Sequence, residues 1–310
     1  MPLSTGRRST HPLLALPGLL ALCTLATTAS GQLADSTGGV ASSSQAPIKH
    51  ASGMDEFGLV PGRFVIDLGG YLPSVSTHAK LSTQLQNGTN INFENKLGLT
   101  PNTQTLDGQA SWRISKHNYL GFQYFSFSRS GSKTLADSIV WGDEVYQAGA
   151  TVDAHNTVTY YGLSYRYYIW REKNWEFGPG LGIDALDLHS KLGVRVAASG
   201  GGGSVMDSAQ KSGGITAPVP MFGIFGDWEF VPRVLVKGGF QYLYINDIDG
   251  VGGHVSDDAL GVEWYPLHNF GVGGIYHFVG ADVSYNGRTG NKTNFNYVIQ
   301  GPSLYVMATF

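Results

Sequence analysis

From Arg63 to Phe310 the chain repeatedly alternates large apolar residues with small or polar ones. Side chains on a β-strand point to opposite faces in turn, so a period of two is the signature of strands. In the stretch 157–170, Tyr161, Leu163, Tyr165, Tyr167 and Ile169 alternate with Tyr160, Gly162, Ser164, Arg166 and Tyr168. Trp175, Phe177, Pro179, Leu181 and Ile183 alternate with Glu176, Gly178, Gly180, Gly182 and Asp184, and Leu260, Val262 and Trp264 with Ala259, Gly261 and Glu263. A soluble sandwich also alternates, but its outer face carries many Lys and Glu. Here charged residues make up only 14% of the chain, well below the roughly 25% of soluble domains. The second face is rich in glycine instead. The pattern therefore predicts strands whose apolar face meets lipid and whose other face lines a crowded interior. No apolar run is long enough for a membrane-spanning helix.

The connections supply the topology. Four are tight (115–118, 171–174, 231–233 and 266–269), and the others are long and polar (74–105, 130–155, 191–214, 246–256 and 286–293). Short turns at one end and long loops at the other are the mark of a transmembrane, antiparallel, up-and-down β-barrel with its turns on the periplasmic side. Ten strands are expected, near 63–73, 106–115, 118–129, 156–170, 174–189, 216–230, 233–245, 257–265, 269–284 and 294–310. A further hairpin above the membrane near 87–89 leaves eight or twelve open. Trp112, Trp170, Trp175, Trp228 and Trp264 all fall close to the tight turns. Indole rings favour the membrane interface, so these residues, with Phe310, are read as an aromatic girdle.

The chain begins with Arg7 and Arg8, an apolar run from Leu13 to Leu25 broken by Pro17 and Gly18, and the small residues Ala29, Ser30 and Gly31. That is the layout of a cleaved secretory signal peptide, assigned to residues 1–31. Cys23, the single cysteine of the chain, lies inside it, so a mature chain would hold no disulfide or thiol site. Residues 32–62 are rich in Ser, Gly and Ala and read as a flexible periplasmic leader. The barrel is assigned to 63–310. Formal charge is −3, and loss of Arg7 and Arg8 leaves −5, so nothing basic points to nucleic acid.

The last strand alternates Leu304, Val306, Ala308 and Phe310. Its aromatic end resembles the sorting signal read by the barrel assembly machinery, and residues 63–310 resemble the small outer-membrane β-barrel proteins of Gram-negative bacteria. That group includes the barrels of outer membrane protein A and outer membrane protein W. The resemblance implies a place in the cell outer membrane, with lipid and lipopolysaccharide as neighbours and the assembly machinery as partner during insertion. Barrels of this kind serve as channels, adhesins, enzymes and wall anchors.

On the inward face the alternation places Asp67, Arg113, Arg166, Glu176, Asp184, Asp227, Glu229, Lys237 and Glu263. Charges there are expected to pair, with Asp227 directly opposite Lys237 as a cross-strand ion pair. They would form either a selective constriction or a plug, and a narrow barrel favours the plug. Inward Gly178, Gly180, Gly182, Gly271 and Gly273 would make room for Arg and Tyr side chains. The runs GPGLG at 178–182 and SGGGGS at 199–204 mimic phosphate loops, but neither leads into a helix pattern. Asp247 and Asp249 lack the later Glu of a calcium loop. No cofactor and no metal site is expected. His277 and Asp257 are the sole catalytic candidates, expected near each other toward the outer mouth, where omptin-type proteases work with His and Asp. No omptin motif accompanies them, nor a serine spaced as in barrel lipases and deacylases. The leading expectation is thus a structural or narrow small-solute channel. After it come a surface protein binding an extracellular ligand through its loops, and then an outer-leaflet hydrolase.

Overall fold

The structure is a computed structural model that describes residues 59–60, 62–141, 144–195, 209–248, 250–287 and 290–310. The signal segment and nearly all of the leader lie outside the described residues. The strands are β1 (Phe64–Tyr71), β2 (Ser74–Ser82), β3 (Ile91–Asn92), β4 (Thr105–Arg113), β5 (Asn118–Thr134), β6 (Ile139–Trp141), β7 (Glu144–Tyr146), β8 (Thr151–Tyr167), β9 (Trp170–Glu172), β10 (Trp175–Arg195), β11 (Ala209–Val231), β12 (Val234–Ile248), β13 (Val251–Leu267), β14 (Phe270–Asn286) and β15 (Lys292–Thr309). One short helix, α1 (Phe93–Leu97), follows β3, with Asn92 as its N-cap.

The wall closes. β1 pairs with β4 on one side and with β15 on the other, and the remaining wall strands pair in chain order. β2 continues β1 along β15, so the two form one bent strand and the barrel wall has ten positions. Its large outward side chains, among them Leu68, Phe122, Leu163, Leu181, Phe222, Val262 and Leu304, are exposed. They form a belt whose strand segments match the ~9–11 residues that cross a bilayer. Trp112, Trp170, Trp175, Trp228, Trp264 and Phe310 are exposed at the turn end of that belt.

Above the belt the strands continue with a polar outer face. On β5 and β8 the outward pair Tyr124–Tyr161 is followed by Ser126–Thr159, Ser128–Thr157, Ser130–His155 and Thr134–Thr151, each polar pair hydrogen-bonded at 2.9–3.0 Å. This corrects the expected loops at 130–155 and 246–256, which are largely strand, and the described ends of the one at 191–214, where 191–195 and 209–214 are strand. Apolar alternation ends where the lipid ends, but backbone pairing does not need it. The region 74–105 holds β2, β3 and α1; β2 and β3 pair antiparallel as the further hairpin expected near 87–89, which adds no position to the wall. The helix and the β6–β7 hairpin share an apolar core of Ile91, Phe93, Leu97, Leu99, Leu135, Ile139 and Val152.

Candidate functional site in the lumen

Reading inward positions from the turn end gives the lumen in layers. The floor holds the buried pair Arg113 and Glu176, joined by two hydrogen bonds, one of them 3.1 Å, with Arg171 Nε donating to the same carboxylate at 3.2 Å. Arg113 lies over the rings of Tyr119 and Tyr168, and Arg166 over those of Tyr119 and Phe225 at 5.0 and 4.3 Å. Beside them Lys237 Nζ donates to Glu263 Oε1 at 3.0 Å, while the hydroxyls of Tyr265 and Tyr305 donate to the same carboxylate at 2.7 and 3.1 Å. Leu59 and Val60 pack with Leu235, Tyr265, Tyr305 and Met307 to close this end.

Asp227 and Lys237 are indeed register partners, yet they form no ion pair. Tyr168 Oη donates to Asp227 Oδ2 at 2.7 Å, and Lys237 reaches Glu263 on the next strand. Across a closed narrow lumen, a long side chain has more than its facing residue to choose from. Glu229 does not line the lumen proper. Its Oε1 accepts from the backbone N–H of Arg233 at 2.9 Å, holding the turn in which Arg233 adopts a φ of 70°.

Above the floor is a chamber of about 100 Å³, bordered by Asp67, Arg166, Asp184, Lys237, Gln241, Asp257, Glu263 and His277 among others. Its room depends on glycine. Phe225 lies where a Cβ of Gly180 would be, Gln241 where one of Gly182 would be and Tyr305 where one of Gly273 would be. The expected fillers were Arg and Tyr; of the three found, only Tyr305 fits. Asp257 accepts from the Tyr160 hydroxyl and pairs with His277 Nε2 at 2.9 Å. Asp107 gathers Gln109, Gln123 and Ser303 at 3.2–3.3 Å.

An aromatic layer lies over the chamber. Phe125 stacks on Tyr160 at 4.8 Å and meets Tyr71 at 5.1 Å, with Val158, Val279, Tyr297 and Ile299 filling the remaining space. Higher still, Arg129 binds Glu94 of α1 at 2.7 Å and Thr77 at 2.9 Å, pinning the helix against β2 and β5. The pair Asp257 and His277 is therefore not at the outer mouth. β14 runs nine residues past His277, and the aromatic layer seals the pair from that side, leaving the two residues 6% and 3% exposed. Sequence reasoning also passed over Asp107, Tyr160, Arg129 and Gln241. Their inward parity with Arg113, Arg166, Tyr119 and Lys237 was the available signal.

No family model matches this chain, and no curated protein matches it either. Among solved structures, the outer membrane protease OmpT of Escherichia coli superposes with a TM-score of 0.53 at 12% identity, over 81% of this chain and 97% of that one. The fold is that of an outer-membrane β-barrel. The outer membrane protein OprG of Pseudomonas aeruginosa gives a TM-score of 0.33 at 12% identity over 80% and 96% of the two chains. The toluene transporter TodX of Pseudomonas putida gives 0.33 at 9% over 81% and 91%. Fold, lipid-facing belt and aromatic girdle together make this chain an integral outer-membrane protein.

Proposed function

We propose that the protein is a closed outer-membrane barrel, a rigid anchor with a side-chain-filled lumen that holds a polar extracellular platform clear of the membrane. The observation that carries this reading is the stacking of three barriers in one narrow lumen: ionic floor, aromatic layer and the α1 cap. Each barrier is built from buried groups whose removal would leave unpaired charge or a cavity, so none is a loose gate. In this reading the Asp257–His277 pair is structural, since the aromatic layer keeps a polymeric substrate from it. The belt serves lipid and lipopolysaccharide, and the assembly machinery inserts the chain. The outer ends of the strands and the cap are the surface available to an extracellular ligand.

Planar-bilayer recording of the refolded chain tests the proposal. A silent bilayer is expected, and a steady single-channel current would overturn it in favour of the narrow small-solute channel.

A further inference from the structure

Three residues bordering the central chamber, Asp67, Asp184 and Gln241, each keep a buried oxygen without a hydrogen-bond partner, namely Oδ1, Oδ2 and Oε1. Asp184 and Gln241 are 5% and 7% exposed. Among the described residues no Lys, Arg or His lies within ion-pair distance of Asp184. Glycine lets Gln241 reach the strand that carries Asp184. Gln241 extends from β12 across Gly223 of β11 until its Oε1 lies where a Cβ of Gly182 would be, two residues from Asp184 on β10. Both open onto the same chamber.

Formal charge says what would fit. Asp67, Asp184, Asp257 and Glu263 border the chamber, against Lys237, Arg166 and His277. Even with His277 protonated, four negative groups face three positive ones. Lys237 is held by Glu263, His277 by Asp257, and Arg166 lies over aromatic rings. Asp67 and Asp184 are the carboxylates that no cation holds, and Gln241 Oε1, which reaches toward the strand of Asp184, is a further unsatisfied acceptor. A buried acceptor without a donor carries a desolvation penalty that a bound donor removes. The chamber has room for several waters, hence for an ion of one or two heavy atoms.

We propose that Asp184 and Gln241 form an internal binding site for a small monocation that donates hydrogen bonds, of the ammonium or primary-amine class. The ammonium head supplies the missing donors, and its charge balances the chamber. The site does not rest on the closed-barrel reading, because it can fill at equilibrium while the chain refolds. Bilayer silence or conduction would leave it standing.

The test is to refold the full chain in detergent micelles with methylammonium chloride or, at equal ionic strength, tetramethylammonium chloride, which has the charge without the N–H donors. Thermal unfolding and calorimetric titration are the readouts. Methylammonium should raise the unfolding midpoint with concentration, and tetramethylammonium should not. Asp184→Asn should weaken methylammonium at least about tenfold, and Gln241→Glu, which adds a second carboxylate, should strengthen it. Equal responses to the two ions, or unchanged affinity in Asp184→Asn, would overturn the proposal. Should Asp184→Asn not refold, Gln241→Glu decides, with unchanged or weaker binding counting against the site.

Discussion

The buried charges of this barrel are held by partners that a strand-by-strand reading does not choose. That Asp67, Arg113, Glu176, Asp184, Asp227, Lys237 and Glu263 face inward was legible, because parity along a strand is a local property. Which of them pair was not, since pairing depends on what closure of the wall brings within reach. Lys237 shows the difference: Asp227 faces it in register, and Glu263 binds it. A double-mutant cycle measures this directly. Lys237→Met should cost about 3–5 kcal/mol in urea unfolding of the lipid-refolded barrel, because Glu263 is left buried without a cation. Adding Glu263→Gln should recover part of that loss, giving a coupling of about 1–3 kcal/mol. The same cycle between Lys237 and Asp227 should give clearly less. A larger coupling to Asp227 would mean that the ion pair follows register after all. For Asp184 and Gln241 the sequence offered parity and the glycines at 180 and 182, but not the reach of Gln241 over two strands.

Strands carry two boundaries, and the sequence revealed only one. The tight turns were placed to within about two residues because Pro, Gly, Asn and charged residues interrupt the alternation there. The outer ends were placed too low. β5 was expected to end at 129 and β8 to begin at 156, whereas their ladder continues to the pair Thr134–Thr151. A strand leaving the bilayer loses the need for apolar outward residues but keeps its backbone hydrogen bonds, so its apolar period fades before its geometry does. Arginine substitution separates the two zones. Leu181→Arg, in the middle of the exposed belt on β10, should cost about 2–4 kcal/mol in urea titrations of the barrel in lipid vesicles. Ser128→Arg, on the hydroxyl ladder of β5, should stay within about 0.5 kcal/mol of the parent. Similar costs at both sites would place Ser128 in lipid and raise the membrane boundary by several residues.

At the scale of the molecule, ten strands and antiparallel closure were legible from alternation, turn spacing and tryptophan placement. The filled lumen followed from barrel width, while its order of floor, chamber, aromatic layer and cap emerges only when inward positions from ten strands are brought to common heights. That order makes a prediction about conduction, because barriers in series all have to open before ions pass. Phe125→Ala with Tyr160→Ala should hollow the aromatic layer and lower stability by several kcal/mol, yet leave bilayers silent, since floor and cap still close the path. Arg113→Ala with Glu176→Ala should likewise be silent. A chain carrying all four changes, a shortened 83–99 segment, which removes α1, and Leu59→Gly with Val60→Gly, which loosens the closure of the turn end, should conduct. Its current should favour cations, because Asp67, Asp184, Asp257 and Glu263 then line an open path against Lys237, Arg166 and His277. Current from the aromatic pair alone would mean that floor and cap already leak, and that the aromatic layer is the single gate of a narrow channel.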